Sequence, residues 1–481
     1  MANNVKIKTR FAPSPTGSVH IGNIRSALFE YLFAKKNGGE FLLRIEDTDQ
    51  KRYTEGAVED ILEILNWFNL KWDGDTIRQS TRLPLYKKYA DELIAKGFAY
   101  PCFCSEERLD NLRKSQEASH RPTGYDRCCR KLSLDETLGR VAKGEPHAIR
   151  LKMPLSGKVR FNDLVRGKVE FDYSLIDDQV LLKADGFPTY HLASVVDDHE
   201  FGITHIIRSD EWLSSVPKHL FLYECFGWEA PLFAHLSVIV GKDKKKLSKR
   251  EGATSVEELR AQGYLPEALL NFVALLGWNP GTEREFFTLT ELEKEFDLTK
   301  VNKSPAMFDM DKLNHFNAHY IHQMNNEELL EKVKPFSKMD FAKYDNSFLQ
   351  KVVSVVKERM VLLADFDSLT TYFFNDTDVE KDMIRFAKSD WQSTLVGLEK
   401  TIENLEMLDA EKWESIDELN NFLSEIVAVN GLKNGDVFWP IRVSLSGLMA
   451  SPSPAELLWV LGPQESLRRL KTALVKITPD M

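Results

Sequence analysis

Residues 9–25, TRFAPSPTGSVHIGNIR, crowd two prolines, two glycines and a histidine between an apolar run and an amphipathic one. Upstream, VKIKTRF alternates as a strand does. Downstream, Ile24, Ala27, Leu28, Tyr31 and Leu32 recur at the spacing of one helical face. Pro13 and Pro15 fix backbone φ within the loop, while Gly17 and Gly22 permit turns or the close approach of a ligand. Asn23 reads as the helix N-cap. Strand, shaped loop and helix N-terminus in that order form the place where α/β proteins hold phosphates.

Around this unit lies a chain of 481 residues, long enough for about three domains. A hydrophobic share of 43% and a charged share of 28% describe an ordinary globular protein and exclude a disordered one. The net charge of −10 argues against a generally basic nucleic-acid coat but leaves room for a local basic path. The opening MANNVKIKTR has no apolar signal region, and no run approaches the roughly 18 apolar residues of a membrane span. Five cysteines point to a reducing compartment rather than a disulfide scaffold. The expectation is a soluble, cytoplasmic, multidomain protein.

The first hundred residues alternate strand and helix. EFLLRIED follows Gly38-Gly39 as a buried strand, and helices are predicted over 55–66 and 84–96, the second stopping at Gly97. That βαβα order implies a parallel sheet with helices on its faces. From Tyr100 the texture turns polar and cysteine-bearing, followed by the strand-like pieces HAIRLKM, KVRFND and KVEFDY, which read as an insertion. QVLLKADGFPTYHL, 179–192, predicts two strands joined at Asp185-Gly186. The α/β texture resumes with THIIRSDEW and LSVIVG. Beyond about residue 250 the pattern is helical, with a capping box at Ser255 and Glu258, a stop at Gly263 and no strand candidate over 325–481.

GKDKKKLSKREG, 241–252, carries six basic residues among the nine from Lys242 to Arg250. Most such runs are solvated charge or targeting patches. This one directly follows a strand and has glycine on each side, which suits clamping a triphosphate whose charge must be neutralised as it develops. HIGN (20–23) and KLSKR (246–250) together resemble the HIGH and KMSKS motifs of class I aminoacyl-tRNA synthetases. TRFAPSPTG, RIEDTD (44–49), FPTYHLASVVDDH (187–199) and IRSDEW (207–212) narrow the resemblance to bacterial-type glutamyl-tRNA synthetases. The terminal run WPIRVSLSGLMASPSPAELLWVLG is similar to the end of that family's anticodon-binding region, so the resemblance covers essentially the whole chain.

The resemblance implies a multidomain α/β plus all-α architecture. A Rossmann-type parallel-sheet catalytic domain (1–99 and 189–240) would hold an inserted α+β acceptor-binding domain (100–188). A connecting domain with the KLSKR loop (241–324) and two helical anticodon-binding subdomains (325–385 and 386–481) would follow. It implies ATP-dependent ligation of L-glutamate to tRNA(Glu), through glutamyl-adenylate and transfer to the terminal ribose 2′-hydroxyl. Charging of tRNA(Gln) as well, or a tRNA-binding scaffold without ligase activity, stay open as alternatives. Neither step needs a protein nucleophile, so positioning and charge stabilisation carry the rate. Catalytic roles fall by resemblance to His20, Lys246 and Lys249. ATP would lie against Thr16, Gly17, His20, Gly22 and Lys249, with Mg2+. The glutamate site would comprise Arg10, Ser14, Glu46, Tyr190, Ser194 and Arg208, with Ser194 at a position that is Asn in some members. An acidic substrate calls for a fixed guanidinium, which suits Arg10 and Arg208. The family expectation is a monomer with no membrane contact, and a bound tRNA as part of the activating site.

Cys102 and Cys104 form a C-x-C, with Tyr125 and then Cys128 and Cys129 beyond a polar loop. The pattern C-x-C…Y-x-x-x-C resembles the zinc site of some members, with Cys102, Cys104 and Cys129 as ligands and Tyr125 or Cys128 as the fourth; four reduced thiols are the alternative. Lys131 stands where some zinc-bearing members have histidine. Asp197, Asp198 and His199 could be metal ligands, but three adjacent residues face one ion only across a sharp turn, which favours a structural or ribose-binding role. Trp212 reads as packing. A glutaminyl-tRNA synthetase would carry β-barrel anticodon domains, and a glutamyl-queuosine enzyme or a related nucleotidyltransferase would lack the long helical tail.

Overall fold

The computed structural model describes residues 6–245 and 255–478, which divide into two compact units. The first runs to Arg260 and includes Pro266–Leu313; the second joins Ala261–Leu265 to the chain from Asn314 onward.

In the first unit, strand β1 (Lys8–Phe11) leads through the loop 12–20 into helix α1 (Ile21–Lys36), and the chain returns as β2 (Glu40–Ile45). Close packing at the return is set by Gly39, whose missing Cβ would stand 2.3 Å from the Ile7 carbonyl oxygen. Helix α2 (Ala57–Trp67), strand β3 (Ile77–Arg78) and helix α3 (Leu83–Ala95) complete the opening half. The three strands pair in parallel in the order β1-β2-β3. Thr9, Arg10 and Phe11 are all buried, as in a central strand covered on both faces. The residues expected on one face of α1 are buried, and so are Arg25, Phe29 and Glu30.

The insertion follows as β4 (Ala99–Cys102), helices α4 (Glu106–Ala118) and α5 (Leu134–Ala142), then β5 (Ala148–Leu151), β6 (Lys158–Asp163), β7 (Gly167–Asp172) and β8 (Val180–Leu182). Its strands form an antiparallel β4-β5-β8 sheet and a β6–β7 hairpin. The second strand expected over 179–192 does not form. The chain turns at Gly186 (φ +85°), makes one bridge between Leu182 and Pro188, and enters helix α6 (Tyr190–Glu200). Pro188 has no N–H with which to extend a ladder, and Leu192, Ala193, Val195 and Val196 bury at helical spacing.

The core resumes with β9 (His205–Ser209), helix α7 (Val216–Phe226) and β10 (Leu232–Leu236). β9 and β10 pair in parallel, with Arg208 opposite His235. The Thr204 amide donates to Lys8 O at 3.0 Å, so β9 lies beside β1 on the side away from β2. β1 is therefore flanked by chain segments that leave it in opposite directions, the switch point at which open α/β sheets bind ligands. No described helix is long and apolar enough to cross a membrane.

The second unit contains no strand among its described residues, as expected for this region. Its helices Trp391–Leu405 and Asn434–Ser446 meet at Gly397, where a Cβ would fall 2.1 Å from the Asp436 carbonyl oxygen. A backbone oxygen inside a helix cannot move aside cheaply. Gly397→Ala is expected to destabilise this unit by about 1–3 kcal/mol, read as a lower midpoint in denaturant unfolding followed by circular dichroism.

Candidate active site

The loop 12–20 is shaped by its prolines and held by its neighbour strand. Pro13 O accepts from the Glu46 amide at 2.9 Å and Pro15 O from the Thr54 amide at 3.0 Å. Gly17 sits at φ +133°, a conformation L side chains rarely adopt. The N-cap of α1 is His20 rather than Asn23; Asn23 lies one turn inside, and its Oδ1 accepts from the His20 amide at 3.1 Å. A short amide side chain at that position reaches back to the cap, the reciprocal half of a capping box. The first amides of the helix, with the positive end of its dipole, face a cavity of about 770 Å³.

The cavity opens at the carboxyl ends of β1 and β9. Arg10, Ser14, Glu46, Tyr190 and Arg208, all expected in an amino-acid pocket, line it. So do Thr16, Gly17, His20 and Gly22, expected around a nucleotide. Ser194 is not brought to the wall. It is 1% exposed, and its hydroxyl accepts from Arg44 Nη2 at 3.1 Å behind the cavity. Lys246 and Lys249 lie outside the described residues. The described chain on either side of them does reach the site: Val238 and Ile239 line the cavity, and Ser255 bridges to His20.

Beneath the wall is a buried ion network that sequence reasoning missed. Asp198 Oδ1 accepts from Arg10 Nε at 2.8 Å and from Arg44 Nη1 at 2.6 Å. Arg10 Nη1 also reaches Glu30 Oε1 at 3.1 Å, and Arg44 Nη2 reaches Glu46 Oε1 at 3.0 Å. Burial raises the Asp198 carboxyl, but the two guanidiniums more than offset it and hold it below the usual carboxylate range. Burial wins at Glu30, pushing it well above that range, and Glu46 is raised for the same reason. Asp197 takes Gln79 Nε2, Arg82 Nε and the Tyr86 hydroxyl, and His199 stacks on Trp228 with ring centroids 3.7 Å apart. The DDH triplet is thus held by partners within the fold, its two carboxylates sharing Arg44 and its imidazole turned to Trp228.

Arg208 differs from Arg10. Among the described residues it pairs with no carboxylate: Nη1 donates to the Tyr190 hydroxyl at 2.5 Å, Nη2 to Trp212 O at 3.3 Å and Nε to His235 Nε2 at 3.1 Å. The Tyr190 ring lies between Trp212 and His219, at centroid distances of 4.3 and 5.5 Å. Trp212, read as packing, is 42% exposed; it meets the Tyr190 ring and lines the cavity.

In the insertion, the thiols of Cys102, Cys104 and Cys129 converge, their sulfurs within 4.8 Å of one another. The Tyr125 hydroxyl lies 3.3 Å from Cys102 Sγ and 3.6 Å from Cys104 Sγ. Cys128 is exposed and outside this group. Arg150 Nε donates to Cys102 Sγ at 3.3 Å, and with the Tyr125 hydroxyl it holds that thiol below its ordinary value against burial; Arg108 Nη1 lies 3.4 Å from Cys104 Sγ, but burial pushes the Cys104 thiol up to about 12. Three convergent thiols are a donor set compatible with zinc.

Comparison with known proteins gives one family. Residues 6–315 match the family of tRNA synthetases class I (E and Q), catalytic domain, and residues 328–474 match an anticodon binding domain. A glutamate–tRNA ligase of Finegoldia magna is 42% identical over 98% of this chain and 99% of its own length. One of Clostridioides difficile is 43% identical over 97% and 98%. Among solved structures, a glutamate tRNA ligase from Elizabethkingia meningosepticum in complex with its amino acid superposes with a TM-score of 0.89. It is 35% identical, covering 98% of this chain and 100% of that one.

The network makes a signed prediction about Glu30. Its raised pKa means that the native state holds a proton which the unfolded chain releases near pH 4.3. The stability it contributes is complete below that pH and is lost as pH rises toward the native pKa. Glu30→Gln mimics the protonated form, so its Tm is expected to match the wild type near pH 4 and to exceed it increasingly up to pH 8. Differential scanning calorimetry across that range checks the sign.

Proposed function

The chain belongs to the class I tRNA synthetases of the E and Q type, and from that premise we propose that it is the glutamate member, ligating L-glutamate to tRNA with ATP. The observation that carries this reading is the cavity itself, which is lined both by the N-terminus of α1 and by a guanidinium that has no carboxylate partner among the described residues. In the first step the glutamate α-carboxylate attacks the α-phosphate of ATP and pyrophosphate leaves. In the second, the terminal ribose 2′-hydroxyl of tRNA takes the acyl group and AMP leaves. Both need charge placed accurately rather than a protein nucleophile.

Arg208 offers its remaining N–H groups to a substrate carboxylate, with Tyr190 beside it. A bidentate grip on a carboxylate discriminates against the neutral amide of glutamine. Arg10 lines the same cavity, its charge already shared with Asp198. Glu46, whose carboxyl burial raises against the pull of Arg44, would be drawn back toward its charged form when the substrate's α-ammonium group arrives. Ser14 completes the amino-acid side. On the nucleotide side, Thr16, Gly17, His20 and Gly22 bring donors to the α-phosphate at the helix terminus. Lys246 and Lys249 follow the β- and γ-phosphates, and Mg2+ accompanies ATP as it does in class I synthetases generally.

The sheet domain then comprises 1–99 and 189–240, the insertion 100–188 meets the acceptor end, 241–324 connects, and the helical regions 325–385 and 386–481 read the anticodon. Cys102, Cys104, Cys129 and Tyr125 would hold a structural zinc that braces the insertion.

Labelled glutamate offered with purified tRNA(Glu) and tRNA(Gln) tests the reading: charging of the first is expected, charging of both marks a non-discriminating enzyme, and charging of neither sinks it. Arg208→Lys, which loses the planar fork, is expected to raise the KM for glutamate by roughly 10- to 100-fold while the KM for ATP holds. Elemental analysis should find about one zinc per chain. Cys102→Ser should lose that metal and lower Tm without changing the KM for glutamate.

A further inference from the structure

Behind Arg208 stands a buried pair that the mechanism does not use. His235, in β10, is fully buried, and Asp163, at the end of the inserted strand β6, is 1% exposed. Asp163 Oδ2 lies 2.6 Å from His235 Nδ1. Its Oδ1 accepts three backbone amides, from Val165 at 3.0 Å, Arg166 at 2.8 Å and His235 at 3.2 Å. On the far side of the imidazole, Nε2 lies 3.1 Å from Arg208 Nε.

Donor and acceptor roles along this line are forced. Arg208 Nε carries a hydrogen and can only donate, so His235 Nε2 must offer a lone pair. Nδ1 must then carry the ring hydrogen, and Asp163 must be an ionised acceptor. Burial raises the Asp163 carboxyl, yet the bonds from His235 and the backbone amides outweigh it and keep it ionised. Burial and the nearby Arg208 charge keep His235 neutral against the pull of Asp163. Every atom in the line has the role its neighbour requires, and the reverse tautomer would set two N–H groups against each other.

We propose that Asp163 and His235 form a positioning relay that fixes the plane and rotamer of the Arg208 guanidinium, and so sets how tightly the site grips a substrate carboxylate. An arginine anchored only through Nη1 and Nη2 could pivot about its long side chain. Anchoring Nε from behind leaves Nη1 and Nη2, each with one N–H beyond its bond to the Tyr190 hydroxyl or to Trp212 O, to offer a ligand a fork. A neutral acceptor does this without pairing the guanidinium's charge, which stays available to the ligand. The proposal rests on Arg208 holding the substrate carboxylate.

Two substitutions at one position separate positioning from packing. In His235→Asn the amide nitrogen reaches the place of Nδ1 and keeps the bond to Asp163, but nothing accepts from Arg208. In His235→Gln the amide oxygen reaches the place of Nε2 and restores that acceptor. Loss of one charged hydrogen bond predicts a glutamate KM about ten-fold higher in His235→Asn, with the KM for ATP unchanged and most of the loss recovered in His235→Gln. Equal glutamate KM values in the two variants, or glutamate and ATP KM values rising together as Tm falls, would overturn the relay. Arg208→Lys, measured alongside, separates the premises. If it raises the glutamate KM and His235→Asn does not, the relay alone fails. If it leaves that KM unchanged, the role given to Arg208 fails and the relay with it.

Discussion

The carboxylate of Asp198 is the interaction on which the catalytic sheet depends. It accepts from guanidiniums on two adjacent parallel strands, Arg10 of β1 and Arg44 of β2, from a helix that enters the chain more than 150 residues later. Two buried cations on neighbouring strands would repel in a low dielectric, and neither strand could stay buried without an anion between them. Removing one partner leaves a charge stranded, so the three residues form a unit that cannot be exchanged piecemeal. Ser194 belongs to this unit through Arg44, which explains why a residue expected at the substrate stands behind the wall.

Once Asp198 fixes Arg10, the loop that follows it has a defined origin. Pro13 and Pro15 cannot donate hydrogen bonds but present carbonyls, and both carbonyls are taken by amides from the chain after β2. The loop is therefore held from its acceptor side, which leaves its donor side and the first amides of α1 turned to the cavity. The prolines and glycines in the opening stretch are the means by which one loop is rigid on one face and open on the other.

How far the sequence reveals this depends on the range of each interaction. The strand, loop and helix of residues 8–36 are legible because turn chemistry and helical spacing are local, and the capping box at Ser255 and Glu258 forms as read. Local signals mislead where two compete. Asp185-Gly186 does make its turn, but Pro188 ends the returning strand after one bridge. Asn23 has a cap former's side chain, yet the helix begins earlier and that side chain serves His20 from inside. Glu30, Arg44 and His235 could not be singled out, since each looks like an ordinary helix or strand residue until chain separations of 20 to 154 residues are closed around it. Motif resemblance brought nine expected residues to one cavity wall because it encodes such distances; periodicity does not.

The sheet edge shows how the insertion is tied to the site. β10 pairs with β9 on one side. On the other, the Leu164 amide donates to Phe233 O at 2.8 Å, and Asp163 holds both the backbone and the ring of His235. The β6–β7 hairpin is thus tied to the outer edge of β10 through Asp163 and Leu164. Hydrogen bonds of 2.6–3.2 Å weaken steeply with displacement, so the hairpin cannot shift by an ångström without loosening His235. His235 in turn sets Arg208. The geometry of one cavity wall is therefore fixed in part by a segment inserted between the two halves of the sheet, and a force applied to that segment reaches the guanidinium through two hydrogen bonds.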